Sequence, residues 1–259
     1  MEFRAACAQM DIAFGNKEAN LETVAKMVKE AAENQVDLIL LPELFQTGYC
    51  LDKADLLAEP PKGHTVELLR DLAGRFRIFI VAGSILEKRD QGIFNTCHFI
   101  GKDGKLLGSY DKMHLFPPFD ENRYLTAGSN ASIFKTGLGL FGAMICFDIR
   151  FPELARKLAL NGVQVIFCPA EFPAERTSVW ATLLRARAIE NQVFIVGCNR
   201  VGSDGKHQFG GHSAIIHPTG RALAQATASP QLIEATLRLD ELKQVREELP
   251  VFKYRREDY

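Results

Sequence analysis

The chain has 259 residues, 47% hydrophobic and 24% charged, which is long and apolar enough to close a sizeable core and excludes a disordered or fibrous protein. Its 31 Lys and Arg balance 32 Asp and Glu to a formal charge of −1, and the basic residues are spread along the whole length. No basic block is available to neutralise phosphates, so no nucleic-acid partner is expected and a small molecule is the expected ligand.

No apolar run reaches membrane-spanning length, so no membrane association is expected. The opening MEFRAACAQMDIAFG lacks the order of a secretory signal. Six cysteines, at 7, 50, 97, 146, 168 and 198, form no C-x-x-C pair, which argues against a zinc site or a disulfide framework and fits a reducing cytoplasm.

In chain order, Leu21, Val24, Ala25, Val28, Ala31 and Ala32 recur at helical spacing opposite Lys26, Lys29 and Glu30, predicting a helix over 20–32 that leads into a strand at 37–41. Val66, Leu69, Leu72 and Phe76 form a second stripe, followed by an apolar strand at 78–82. Segments 94–100 and 105–109 flank Gly101-Lys102-Asp103-Gly104, a hairpin signal that makes the sheet mixed. After an irregular stretch with Pro117, Pro118 and Gly128, 140–146 reads as a buried strand and 152–160 as a helix ended by Asn161-Gly162. A strand at 163–168, a helix at 177–192 and a strand at 193–198 repeat the alternation. A last hairpin turns at Pro218-Thr219-Gly220, and Asp240 is placed to cap a short helix at 241–248. The pattern is that of an α/β protein, and with no internal repeat or linker a single domain over 1–259 is expected.

Three charged or nucleophilic positions are candidates for chemistry. Glu43 stops the strand ending LLPE, where position alone reads as an exposed carboxylate or a cap. Lys112 lies in SYDKMHLFPPFDE, where Met113, Leu115, Phe116 and Phe119 pull the segment inward, and a lysine carried with them requires an anionic partner. Cys7, Cys97, Cys168 and Cys198 sit inside apolar strands and read as core. Cys146 instead closes an apolar run at a strand-to-helix junction, where α/β sheets bind ligands and the following backbone amides are free to donate. Trp180, Leu183, Leu184, Arg187 and Glu190 read as packing plus an ion pair. His64, His98, His207, His212 and His217 lack ligand-like spacing, so no metal is called for.

In this order, LPELFQTGY, YDKMHLF and ICFDIRFPE resemble the three signature motifs of the nitrilase or carbon-nitrogen hydrolase superfamily, and ARAIENQVFIVGCNRVG and GHSAIIHPTG resemble its downstream segments. The likeness is greatest to the omega-amidases, which release ammonia from 2-oxo dicarboxylic acid monoamides such as 2-oxoglutaramate. The resemblance implies a four-layer α-β-β-α sandwich, commonly assembled as a homodimer or higher homo-oligomer through its helical faces, and no cofactor. Residue by residue it implies a catalytic glutamate at Glu43, lysine at Lys112, nucleophile at Cys146 and second glutamate at Glu121, next to Asp120. It places the Lys112 ammonium and the Phe147 N–H around the tetrahedral oxygen. For a substrate carboxylate the first choice is Arg150, whose alternative is an ion pair with Glu153 or Asp148, and Phe172, Arg176 and Tyr49 are expected along the same pocket. Competing readings are His114 as the base for Cys146, a carbamoylase or aliphatic amidase on the same scaffold, and a non-catalytic binding protein.

Overall fold

A computed structural model describes residues 1–256, and its strands gather into two stacked mixed sheets. Strand β1 (Glu2–Gln9) leads through α1 (Lys17–Glu33) to β2 (Leu38–Leu40), and the chain then passes α2 (Ala54–Leu57) and α3 (His64–Phe76) to reach β3 (Phe79–Val81). An antiparallel run of β4 (Ile85–Arg89), β5 (Gly92–Ile100) and β6 (Leu106–Asp111) follows, then the single turn α4 (Glu121–Tyr124). The second half comprises β7 (Ile133–Thr136), β8 (Gly139–Ala143), α5 (Pro152–Leu160), β9 (Val165–Ala170), α6 (Thr177–Asn191) and β10 (Phe194–Asn199). A small hairpin of β11 (Val201–Ser203) and β12 (Gln208–Gly210) precedes β13 (Ala214–Ile216), β14 (Ala222–Gln225), β15 (Gln231–Arg238) and α7 (Glu241–Glu248).

The first sheet runs β15-β1-β2-β3-β5-β4 with β6 also paired to β5, and the second runs β14-β13-β10-β9-β8-β7. Each centre is a parallel β-α-β-α-β unit, β1 to β3 in one sheet and β8 to β10 in the other. Alternation along β1 shows the layering. Phe3, Ala5 and Cys7 pack with Phe141, Phe167 and Val196 of the second sheet, whereas Ala6 and Ala8 pack with Val24 and Val28 of α1 and Leu69 of α3. Helices α5 and α6 cover the outer face of the second sheet, through Leu158 and Leu184 among others. Helix, sheet, sheet and helix are thus stacked in four layers. Among the described residues no helix is long and apolar enough to cross a membrane.

Several boundaries differ from the sequence reading for local reasons. Helix α1 begins at Lys17 because the Asn16 side chain accepts from the Ala19 N–H, a cap that hydrophobic periodicity does not register. The strand expected over 140–146 stops at Ala143, and Cys146 to Arg150 form a 3-10 turn. Asp240 does not cap α7. Its backbone is already helical and its carboxylate lies 3.7 Å from the N-terminal amine.

Candidate active site

The chemistry-bearing residues leave the carboxyl ends of strands from both sheets. Glu43 follows β2 in a turn that its neighbours hold on both sides. Ser84 donates its N–H to Pro42 O at 3.2 Å and accepts the Leu44 N–H on its Oγ at 2.9 Å. Gly83 permits this approach, since a Cβ there would stand 1.8 Å from the Pro42 oxygen. Lys112 follows β6, and its backbone remains bonded on both sides, to Asn95 O at 2.9 Å and from the Gly128 N–H at 2.8 Å.

The Lys112 ammonium is fully buried between two fully buried carboxylates. It donates to Glu43 Oε1 at 2.8 Å and to Glu121 Oε1 at 2.9 Å, with Glu121 Oε2 also 2.8 Å away and the Tyr49 hydroxyl at 3.2 Å. Burial alone would lower the lysine's affinity for its proton, but the charges of Glu121 and Glu43 outweigh it, and Lys112 is held well above the ordinary range. Burial raises Glu121, an effect opposed by Lys112 and reinforced by Glu43. Glu121 is also tied to its own loop, accepting the Phe116 N–H on Oε2.

Glu43 is held by four donors. Oε1 accepts from Lys112, the Tyr49 hydroxyl at 2.9 Å and Asn95 Nδ2 at 2.9 Å, while Oε2 accepts the Glu171 N–H at 3.0 Å. Cys146 is 5% exposed at the start of its turn, with φ of 45°, a left-handed conformation that costs a non-glycine residue about 1–2 kcal/mol. The buried Asp148 carboxylate holds this shape, accepting the Ile145 N–H at 2.8 Å, the Tyr110 hydroxyl at 2.6 Å and the His114 N–H at 2.9 Å. Phe147 stands at the second position of the turn, where an N–H has no partner within the turn. Burial raises the Cys146 thiol well above its ordinary range. The Glu43 charge adds to this and Lys112 opposes it, so the resting group is a neutral thiol.

Cys146, Phe147, Arg150, Phe172 and Arg176 line one narrow pocket with Glu171. The guanidinium of Arg150 lies 5.7 Å from the Phe172 ring centre and that of Arg176 lies 5.9 Å from that of Phe116. Neither alternative partner takes Arg150, since Asp148 is spent on the turn and Glu153 forms no ion pair with it. Tyr49 stands with Glu43 and Lys112 rather than with the arginines. His114 is bound through Nδ1 to Asp148 at 2.7 Å and stacked on Phe151, an arrangement that supports the turn. Arg187 acts similarly, donating to Ile149 O at 2.9 Å besides pairing with Glu190 at 2.8 Å.

Sequence reasoning missed Asn95, Asp148, Glu171 and Arg200. Asn95 is signalled by an amide inside the apolar strand GIFNTCHFI, and Asp148 by an acid directly behind the cysteine. Glu171 and Arg200 have no such local signal. They follow β9 and β10, and meet in a fully buried contact in which Arg200 Nη1 donates to Glu171 Oε2 at 3.0 Å.

The carbon-nitrogen hydrolase family model matches residues 4–247. The chain belongs to this family. Among family relatives, it is 38% identical to the 2-oxoglutaramate amidase of Bacillus subtilis over 258 residues, covering 100% of this chain and 99% of that protein. It is 32% identical to human omega-amidase NIT2, covering 99% and 96% of the two chains. Among solved carbon-nitrogen hydrolases, Saccharomyces cerevisiae Nit3, a member of branch 10 of the nitrilase superfamily, superimposes with a TM-score of 0.91 at 31% identity, covering 98% of this chain and 97% of that one.

Proposed function

We propose that the chain is an omega-amidase that releases ammonia from 2-oxo dicarboxylic acid monoamides such as 2-oxoglutaramate through a thioester on Cys146. The observation that carries this reading is the pairing of a buried Glu43-Lys112-Glu121 cluster beside Cys146 with two arginines, Arg150 and Arg176, in the same pocket. The full-length similarity to a 2-oxoglutaramate amidase supports it.

Glu43 takes the thiol proton as sulfur attacks the amide carbon, since a neutral thiol next to a carboxylate ionises only as the new bond forms. The tetrahedral oxygen is met by the Lys112 ammonium and the Phe147 N–H, where losing one donor costs about a hundredfold or more in rate. Glu43 returns the proton to nitrogen, ammonia leaves and a thioester remains. Glu43 then deprotonates water, which releases the acid and restores the thiol. Glu121 holds Lys112 between the two carboxylates and orients the amide, and Arg150 gives a forked contact to the substrate carboxylate beyond it.

The test is intact-protein mass spectrometry after brief exposure to 2-oxoglutaramate, comparing wild type with Glu43→Gln. An acyl adduct on Cys146 with ammonia release is expected for wild type. If neither appears, the omega-amidase reading fails even where another amide is hydrolysed. We further infer a homodimer joined through the outer helical layer, where Leu160 and Ile189 are exposed, and a cytoplasmic setting consistent with six unpaired cysteines. Light scattering and cell fractionation test these two points.

A further inference from the structure

The reaction above leaves one buried carboxyl group of the pocket without a task. Glu171 is 1% exposed and lines the same pocket as Cys146. Its two oxygens are unequal: Oε2 accepts from Arg200 Nη1 at 3.0 Å, whereas Oε1 is buried with no hydrogen-bond partner among the described residues. A carboxyl oxygen left in that state costs free energy until it meets a ligand, and costs less as part of a neutral carboxyl than of a carboxylate. Its backbone N–H is bonded to Glu43 Oε2, so Glu171 adjoins the group that hands the first proton to the departing nitrogen.

The chemistry of the intermediate supplies a task for such a group. Ammonia expelled from the tetrahedral adduct shares a narrow pocket with a thioester, and amines attack thioesters more readily than water does. Return to the amide therefore competes with hydrolysis for as long as the nitrogen keeps its lone pair. A second proton removes that lone pair.

We propose that Glu171 is a second proton donor, transferring a proton from Oε1 to the newly expelled ammonia so that ammonium, which cannot attack the thioester, is what leaves. The step balances: the Oε1–H bond breaks, an N–H bond forms, and Glu171 becomes a carboxylate facing Arg200. The proton shed by the carboxylic acid product at the end of the cycle restores it. This role rests on the amidase reading. It is supported by the state of Glu171 at rest, since burial together with the Glu43 and Asp204 charges, opposed by Arg200, pushes its carboxyl up to about 8. Oε2 is engaged by a guanidinium, which can only donate, so the proton resides on Oε1.

The test compares wild type with Glu171→Gln on 2-oxoglutaramate and on the methyl ester of the same terminal carboxyl. Both substrates give the same thioester, so kcat/KM isolates acylation, and methanol needs no second proton. Glutamine must turn its oxygen to Arg200, which leaves an amide nitrogen that cannot release a proton in place of Oε1. The amide-to-ester ratio of kcat/KM is expected to fall roughly tenfold or more, within the range for one general acid. In 15N-ammonium buffer at pH 7.5, incorporation of 15N into unreacted amide per turnover is expected to fall by the same factor, because the group that protonates departing ammonia is the base that deprotonates entering ammonium in the reverse direction. Glu171→Asp keeps the anion for Arg200 while withdrawing the carboxyl by one methylene, and it carries the test if the glutamine variant does not fold. A ratio within about twofold of wild type, or amide and ester rates falling together, overturns the role of Glu171. A wild type inert toward the amide overturns the amidase reading itself and the Glu171 role with it.

Discussion

Replacing Lys112 by methionine separates what the buried ammonium does for stability from what it does for catalysis. Its Nζ lies 2.8 Å from Glu43 and 2.8 Å from Glu121, and all three side chains are fully buried. Lys112→Met keeps the volume and leaves two carboxylates facing each other without a counter-charge. Breaking a buried pair from one side costs about 3–5 kcal/mol. One carboxyl relieves the conflict by binding a proton, and Glu121, already raised by burial, is the group to do so. A carboxyl raised further in the folded state stabilises that state at low pH and loses its contribution as pH rises through the folded value. The variant should therefore gain stability relative to wild type between pH 7.5 and 5.5. Adding Glu121→Gln should recover about 2 kcal/mol of the loss at neutral pH by removing the stranded charge. Ammonia release should stay down by about a hundredfold or more in both variants, because the donor to the tetrahedral oxygen is gone. Urea midpoints at constant m-value and an ammonia assay read the two quantities. The reasoning is refuted if Lys112→Met lies within 1 kcal/mol of wild type by that linear analysis, or if the double variant regains turnover.

Arg150→Ala should raise KM for 2-oxoglutaramate by roughly tenfold or more while leaving a neutral amide such as butyramide within about threefold, as expected for loss of a charge-assisted contact to the substrate. An equal effect on both substrates would remove Arg150 from carboxylate recognition. Asp148→Asn weakens the network that holds Cys146 at positive φ and should cost about 1–3 kcal/mol together with a fall in kcat, whereas His114→Ala should be the milder of the two. Loss of turnover in His114→Ala with full activity in Glu43→Gln would instead favour a histidine base. For Glu171, whose carboxyl is raised to about 8, folding stability should fall as pH rises from about 4.5 toward 8, and Glu171→Gln should flatten that slope in thermal melts.

How much of this was legible in the sequence depended on the distance between the residues concerned. Helical stripes and the Asp-Gly hairpin are local, and they appear where the periodicity places them. The last strand was not legible, because QLIEATLR gains its meaning from pairing antiparallel with β1 along eight residues from the other end of the chain. Position alone left Glu43 and Lys112 as ordinary charges. Their burial depends on Asn95, Glu121 and one another, across separations of up to 69 residues, and only the motif resemblance joined them in advance. Asp148 was considered as a partner for Arg150, whereas in the fold its oxygens are drawn inward by Tyr110 of β6 and by His114 in the segment that follows it. Glu171 and Arg200 meet because β9 and β10 are parallel neighbours, a fact of topology rather than of pattern.

The site draws Glu43 and Lys112 from the strand ends of one sheet, Glu121 from α4 and Cys146, Arg150 and Glu171 from segments that follow strands of the other, so it exists only while the two halves of the sandwich are docked. Turnover is then a gauge of that docking. A partly opened molecule would keep most of its helical signal while being catalytically silent, and heat or denaturant should extinguish ammonia release no later than the far-ultraviolet signature of the helices.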